Sequence, residues 1–499
     1  MATAPCAPIR AADAELAKRV TLLTGASGYV GGQLLRQLGR SGRRVRCMSR
    51  RPETLQQLVG ARTKVVEGDV LDRPSLRRVL CGVHTACYLV HSMAHGPEFE
   101  ELDYRAATNF GVAARAAGVS QIVYLGGLGD ARDLSPHLAS RHEVGELLRE
   151  QGVPTVELRA SIVIGSGSAS FETVRALVER LPAIVAPPWT ETLAQPIAID
   201  DVIALLVAAL SFAHPVDATY EIGGTDRLTY AELMREYARQ RGLRRGVLRP
   251  ALVTPRIARS LLPVLVPGHG RIAAAMVDSL RNETVVHKQA PIGPSPQQSS
   301  GVSVAIAHTL ADEDREFARR RWSQALGQEQ LQRFGGLAYG RRLVASRVVP
   351  VRRRNEDAFR PIERIGGETG WYSDNWFWSL RGFLDTLRGG VGRRRGRRDP
   401  GRLRVGDAVD FWRVESVESG RFLRLSAEMK MPGRLWLQFE VNATEQGILL
   451  RQTTIFDPAG YVGRAYWYLL YPVHRWVFGR MLRGISRAVH RELPAVSTT

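Results

Sequence analysis

Gly25, Gly28 and Gly31 stand three residues apart in Arg19–Gly32, RVTLLTGASGYVGG. Glycines at such points let a backbone turn tightly and approach an anion closely, as a pyrophosphate requires. Ser27, Tyr29 and Val30 fill the turn and open a segment in which Val30, Leu34, Leu35 and Leu38 recur at helical spacing. The N–H groups at the start of such a helix would face phosphate, aided by the helix dipole. Val20–Leu23 is a short apolar run, as in a buried parallel strand. Strand, glycine turn and helix in this order read as a dinucleotide site, with spacing GxxGxxG in place of GxGxxG.

Two further sets fit such a site. A second strand, Arg44–Met48, runs into Ser49, Arg50 and Arg51. An acidic residue near this point would bind a ribose 2′-hydroxyl. Two guanidinium groups suit a 2′-phosphate instead, so NADP is the expected cofactor ahead of NAD. Ordinary surface arginines are the alternative in a chain with only four lysines among 69 basic residues. Asp69 and Val70 close a third strand, where the carboxylate would accept from an adenine amino group or cap the helix beginning near Pro74.

These residues need a scaffold of alternating strands and helices. Thr85–Val90 is a fourth apolar strand, Glu101–Gly118 a helix with a small-residue face, and Ile122–Leu125 a fifth strand. The alternation implies an α/β fold with a doubly wound parallel sheet of the Rossmann type. Asp200 and Asp201 start a later helix, with N-capping as their expected role. Ile257–Leu280 reads as apolar helix interrupted by Pro263 and Pro267, either a lid or a packed pair. His91 and His95 have metal-like spacing, but without a third ligand no metal is expected.

TGASGYVGG, the GDV turn, YLVHSM, IVYLGGL, LRASIVIGSGS and QPIAIDDV together resemble atypical short-chain dehydrogenases/reductases. The NmrA-like group and the NAD(P)H-binding accessory subunit of respiratory complex I are the relatives meant. The resemblance covers roughly residues 18–285 and implies NAD(P) binding, with Val90 and His91 beside the cofactor. Active members of that superfamily carry Tyr-x-x-x-Lys after strand five, with a Ser at the strand end. Here Leu125-Gly126-Gly127 lacks the Ser. His137 stands in the Tyr place and Arg141 in the Lys place. The resemblance makes His137 a candidate general acid near neutral pH and Arg141 a candidate ribose or oxyanion holder. Their alternative is to bind cofactor or cap the helix.

The rest of the chain has another character. Seven of the nine tryptophans lie beyond residue 370, so a second core is expected there, with Trp371–Trp378 its densest group. Asp407–Glu415, Phe422–Met429, Leu435–Ala443 and Gly447–Phe456 alternate as antiparallel strands, and His474–His490 is an amphipathic helix. With RPIERIGGETGWY and TIFDPAGYVGRAYWY, this resembles an α+β helix-grip fold of the START/polyketide-cyclase kind, a fold that often encloses an apolar cavity. The expected division is a tail over 1–17, a Rossmann domain with helical ligand lobe over 18–290, a linker and connecting helix over 291–335, a helix-grip domain over 336–492 and a tail over 493–499.

Net charge is +20, with 29 basic and 16 acidic residues in 340–499, so the excess sits mainly in the second part. Arg393–Arg398 reads as a solvated loop, and nucleic acid is not expected as a partner. Peripheral membrane contact through the basic amphipathic helix stays open. The N-terminal stretch has no apolar signal core and the four cysteines no paired spacing, so a reducing cytoplasm is the expected compartment. Two functions stand open. One is an oxidoreductase for a hydrophobic carbonyl or quinone-like substrate, with the second domain as ligand module. The other is an NADP(H)-binding redox sensor or assembly factor without turnover.

Overall fold

The computed structural model describes residues 19–319 and 337–491, apart from 57–58, 61, 94–97, 131–133, 267–268, 289–291, 293–298, 340–341, 352–354, 368, 373–396, 398, 400 and 445–446. His95, most of the Pro291–Gly301 linker, most of Trp371–Trp378 and most of Arg393–Arg398 therefore lie outside the described residues. The chain divides into two units, 1–314 and 315–499.

The first unit begins β1 (Val20–Leu23), α1 (Tyr29–Arg40), β2 (Arg44–Ser49), α2 (Pro52–Gln56), β3 (Thr63–Glu67), α3 (Arg73–Leu80), β4 (Thr85–Tyr88). It continues α4 (Phe99–Ala116), β5 (Gln121–Gly127), α5 (Pro136–Glu150), β6 (Thr155–Ala160), β7 (Val163–Ile164), α6 (Ala169–Arg180), β8 (Ile184–Val185), β9 (Leu193–Ala194), β10 (Ile197–Ala198), α7 (Ile199–Ala209) and β11 (Ala218–Ile222). The seven-stranded sheet has the order β11-β6-β5-β4-β1-β2-β3, and all its pairs are parallel. This is the Rossmann-like α/β fold. Leu22 and Leu23 are adjacent yet feed opposite cores: Leu22 packs with Leu80 and Phe110, Leu23 with Leu34, Leu38 and Leu206. Burial on both faces is why the strand reads as an unbroken apolar run.

Beyond the sheet come β12 (Leu228–Thr229), α8 (Tyr230–Gln240), β13 (Val247–Leu248), α9 (Pro255–Leu265), α10 (Gly270–Ala275) and α11 (Val302–Arg319). The apolar segment near 257–280 is thus two short helices followed by a 3-10 turn. Asp200 and Asp201 lie in the first turn of α7, whose N-cap is Ala198. Their carboxylates instead meet His308 at 3.1 Å and accept from the Ser300 N–H at 2.8 Å.

The second unit comprises β14 (Leu337–Tyr339), β15 (Arg342–Val351), α12 (Asn355–Glu363), β16 (Ala408–Val409), β17 (Trp412–Glu418), β18 (Phe422–Ala427), β19 (Gly433–Thr444), β20 (Gly447–Pro458) and α13 (Gly460–Arg491). Its sheet, ordered β14-β15-β20-β19-β18-β17-β16, is antiparallel throughout. Leu437, Phe439 and Leu450 share one apolar cluster with Trp467, Met481 and Ile485 of α13, and Trp467 stacks on Phe456 at 5.3 Å between ring centroids. Two expectations need correction here. Asp407–Glu415 is not one strand: it breaks into β16 and β17 at Asp410, whose φ is 55° and whose carboxylate accepts from Trp371 Nε1 at 2.7 Å. The last helix begins at Gly460, not His474, and runs through Pro472. No helix among the described residues is long and apolar enough to cross a membrane.

Candidate functional site

In an open parallel sheet, ligands sit outside the carboxyl ends of strands where the strand order reverses. That point lies between β1 and β4, and the glycine turn follows β1 there. Gly25 has φ +67°, and a Cβ on it would fall 2.4 Å from the carbonyl oxygen of Leu89 after β4. A Cβ on Gly31 would fall 2.2 Å from the Gly25 carbonyl oxygen. Both close approaches are between backbones, so neither position tolerates a side chain without moving the turn. Gly28 N–H donates to the Gly25 carbonyl at 2.9 Å and Gly28 is the N-cap of α1.

A cavity of about 250 Å³ opens on this turn. Gly25, Gly28, Tyr29, Val30 and Gly31 form one wall; Leu89, Leu125, Arg141, Val163, Ser168 and Ala169 complete it. Tyr29 lies against the turn after β7, where a Cβ on Gly165 would fall 1.9 Å from its hydroxyl. That hydroxyl is buried without a hydrogen-bond partner. Burial, reinforced by Asp200 and Glu172, raises its pKa, so the phenol stays protonated. A glycine cradle at a helix start, with an orphaned hydroxyl in its wall, fits a dinucleotide.

Arg50 and Arg51 are exposed at the end of β2 and do not line this cavity. The Arg51 N–H donates to Ser49 Oγ at 3.1 Å. The Gly68 N–H donates to the Ser49 carbonyl at 3.1 Å, which brings the ends of β2 and β3 together. Asp69 does not cap α3. It accepts from the Leu71 N–H at 2.9 Å, while Asp72 is the N-cap and accepts from Ser75 N–H at 3.2 Å. Val70 is buried among Met48, Leu76 and Val79. Ser27 is exposed, and Val90 is partly buried against the same cluster as Val70. Neither lines the cavity, whereas Leu89, which the sequence did not single out, does.

Next to Arg141 the structure gathers a histidine pair. His137 lies one turn before Arg141 on α5, and its ring centroid is 5.3 Å from that of His91. His91 Nδ1 is 2.8 Å from a carboxylate oxygen of Asp103, a buried residue of α4. The other Asp103 oxygen accepts from the Ser92 N–H at 2.8 Å. Burial raises the Asp103 pKa, but the bonds from His91 and Ser92 outweigh it and bring the carboxyl below its usual range. His91 Nε2 and His137 Nδ1 are buried without partners. Burial first, then the His91 and Arg141 charges, push His137 down to about 3. His137 is therefore a neutral imidazole at pH 7, not a group titrating near neutrality. Burial likewise lowers His91, against the opposing bond to Asp103. The Arg141 guanidinium donates to the Leu125 carbonyl and lies 5.2 Å over the Tyr124 ring, while Tyr124 OH donates to the Arg141 carbonyl at 3.0 Å. Among the described residues, the only group of three or more side chains placed to share a metal ion is the exposed Asp200, His308 and Asp312.

Residues 25–163 match a family described as NAD(P)H-binding. Residues 338–481 match a protein family of unknown function, DUF2867. The first unit therefore carries an NAD(P)H-binding domain and the second a DUF2867 domain. Among curated proteins, sterol demethylase protein B of Methylococcus capsulatus is 30% identical over 175 residues, 34% of this chain and 52% of that protein. The chain thus spans about half the length of that relative. Ceramide reductase of Caulobacter vibrioides is 27% identical over 247 residues, 48% of this chain and 76% of that protein. Among solved structures, Citrobacter sp. triphenylmethane reductase complexed with NADP(H) is 19% identical, with a TM-score of 0.48 over 58% of this chain and 99% of that one.

Proposed function

We propose that the protein is an NADP(H)-dependent oxidoreductase acting on a hydrophobic carbonyl or quinone-like substrate. The observation that carries this reading is the cavity itself, which joins a glycine cradle at the sheet's reversal point to Arg141, with His137 and the His91–Asp103 pair alongside. When bound, the nicotinamide supplies the hydride. Arg141 stands to hold an oxyanion or ribose hydroxyl. His137, as a neutral imidazole, stands to donate an N–H to a carbonyl oxygen as negative charge develops there. Asp103 fixes the His91 ring through Nδ1 and leaves Nε2 buried without a partner, so a proton can be held there or relayed. Arg50 and Arg51 stand to select a 2′-phosphate and hence NADP over NAD. Asp69 and Val70 would flank the adenine. The apolar cavity wall and a relative named ceramide reductase support a greasy substrate.

The second unit reads as a helix-grip ligand module: an antiparallel sheet with its long last helix against one face. The domain limits 18–290 and 336–492 and a cytoplasmic location belong to the same proposal. A competing reading, a redox sensor of the NmrA type, is favoured by one observation: His91 and His137 are both held below their ordinary range by burial, so neither is charged at neutral pH. NADPH consumption against a panel of quinones and aldehydes, beside calorimetric cofactor titration, separates the two. Saturable turnover supports the enzyme; binding without turnover on any substrate supports the sensor.

A further inference from the structure

Arg347, Gln452 and Thr454 form a polar island inside the second unit. Arg347 of β15 pairs directly across from Gln452 of β20, and Thr454 is two residues further along the same face. That face looks toward α13, because Gln452 Nε2 donates to Met481 Sδ at 3.2 Å. Gln452 and Thr454 are 0% and 1% exposed, so no bulk water reaches them. Even so, Gln452 Oε1, Thr454 Oγ1 and Arg347 Nη1 are all buried without a partner. No carboxylate among the described residues pairs with Arg347. The charged or ionisable groups that face it from α13 are Tyr471 and a second arginine, Arg475. Burial accordingly lowers the Arg347 pKa.

One guanidinium nitrogen and two side-chain oxygens without partners, on the sheet face that also carries Ala345 and Phe439 and packs against Met481 of α13, are costly unless something completes them. A guanidinium fork offers two parallel donors to a carboxylate or phosphate. We infer that Arg347 and Thr454, on the face of β15 and β20 that α13 covers, bind an oxyanion, with a donor group of the same ligand facing Gln452 Oε1. This rests on reading the second unit as a ligand module and names the chemistry it recognises. It is independent of any reaction in the first unit.

The test is calorimetric titration of the full chain with sodium octanoate, inorganic phosphate and uncharged 1-octanol, for wild type, Arg347→Met and Thr454→Val. Saturable binding of octanoate or phosphate is expected, weakened about tenfold or more by Arg347→Met and about two- to tenfold by Thr454→Val. Octanoate binding alone assigns an organic acid; phosphate binding as tight as octanoate assigns a phosphate-bearing ligand. Arg347→Met should melt at the wild-type temperature or above, since it removes a half-buried charge that no carboxylate pairs with. The proposal is overturned if neither anion binds, if Arg347→Met binds them like wild type, or if Arg347→Met melts well below wild type and so shows a structural guanidinium. If octanol and octanoate bind equally and indifferently to Arg347→Met, the ligand module stands and the oxyanion site falls.

Discussion

Gly25→Ala puts a methyl group where the backbones of two parallel strands meet. Two costs add. Alanine at φ +67° pays for the left-handed conformation, roughly 1–2 kcal/mol. Its Cβ would also sit 2.4 Å from the Leu89 carbonyl oxygen, where no flexible side chain can swing away. Overpacking of this kind adds about 1–3 kcal/mol, so the total is roughly 2–5 kcal/mol. Gly118→Ala is the control: its φ is +73°, but nothing lies within 4 Å of the added Cβ. It should lose only the conformational part, roughly 1–2 kcal/mol. The assay is urea unfolding of both variants, read on the transition that NADPH protects in wild type, with calorimetric NADPH titration alongside. Gly25→Ala should also weaken NADPH tenfold or more, because relief of the contact moves the cradle; Gly118→Ala should bind normally. Equal stability losses with unchanged NADPH affinity in both would refute the placement of Gly25 against Leu89.

Arg50→Ala combined with Arg51→Ala should cost on the order of 1–3 kcal/mol of NADPH binding and little of NADH binding, measured by calorimetry. His137→Phe should lower turnover by about 10²–10³-fold, the scale of one lost oxyanion donor, while NADPH still binds. His137, held near 3 in the folded state against an ordinary 6.5, contributes stability that is fully present above pH 6.5 and is lost as pH falls from 6.5 towards 3, where the unfolded chain binds the extra proton. His137→Phe should therefore flatten the acid side of a stability–pH profile; an unchanged slope would show that this imidazole titrates normally. Asp103→Asn should free the His91 ring and lower turnover with little change in NADPH affinity. A collapse of NADPH binding instead would make the pair part of the cofactor cradle.

How much of this was legible follows from where each constraint is written. The glycine turn is local, so its strand, spacing and helix could all be read from Arg19–Leu38. The far cavity wall is not local: Leu89, Leu125, Val163 and Ser168 are ordinary residues until the parallel sheet brings their strand ends together. Asp103 gave no signal, since one acid in the charged first half of α4 looks solvated; only the fold turns it onto His91. In the second unit, β15 was missed because Arg342, Arg347 and Pro350 interrupt its apolar run. Pro472 made α13 look as though it began later. Asp410 broke a strand because aspartate tolerates the left-handed turn that β16 and β17 need. Alternation sets Arg424, Gln438 and Glu440 on the polar face of their strands, yet all three are buried, with the Arg424 guanidinium donating to Gln438 Oε1 at 2.9 Å. Periodicity reports a face, not what covers it.

The central claim is that the cradle serves hydride transfer, and NADPH consumption tests it most directly. Wild-type protein mixed with NADPH and a panel of hydrophobic aldehydes, ketones and quinones should consume the cofactor saturably with at least one of them. His137→Phe should bind NADPH equally well and consume it far more slowly. Wild-type protein that binds NADPH tightly and oxidises none of it, across the whole panel, would contradict the oxidoreductase reading and leave the sensor in its place.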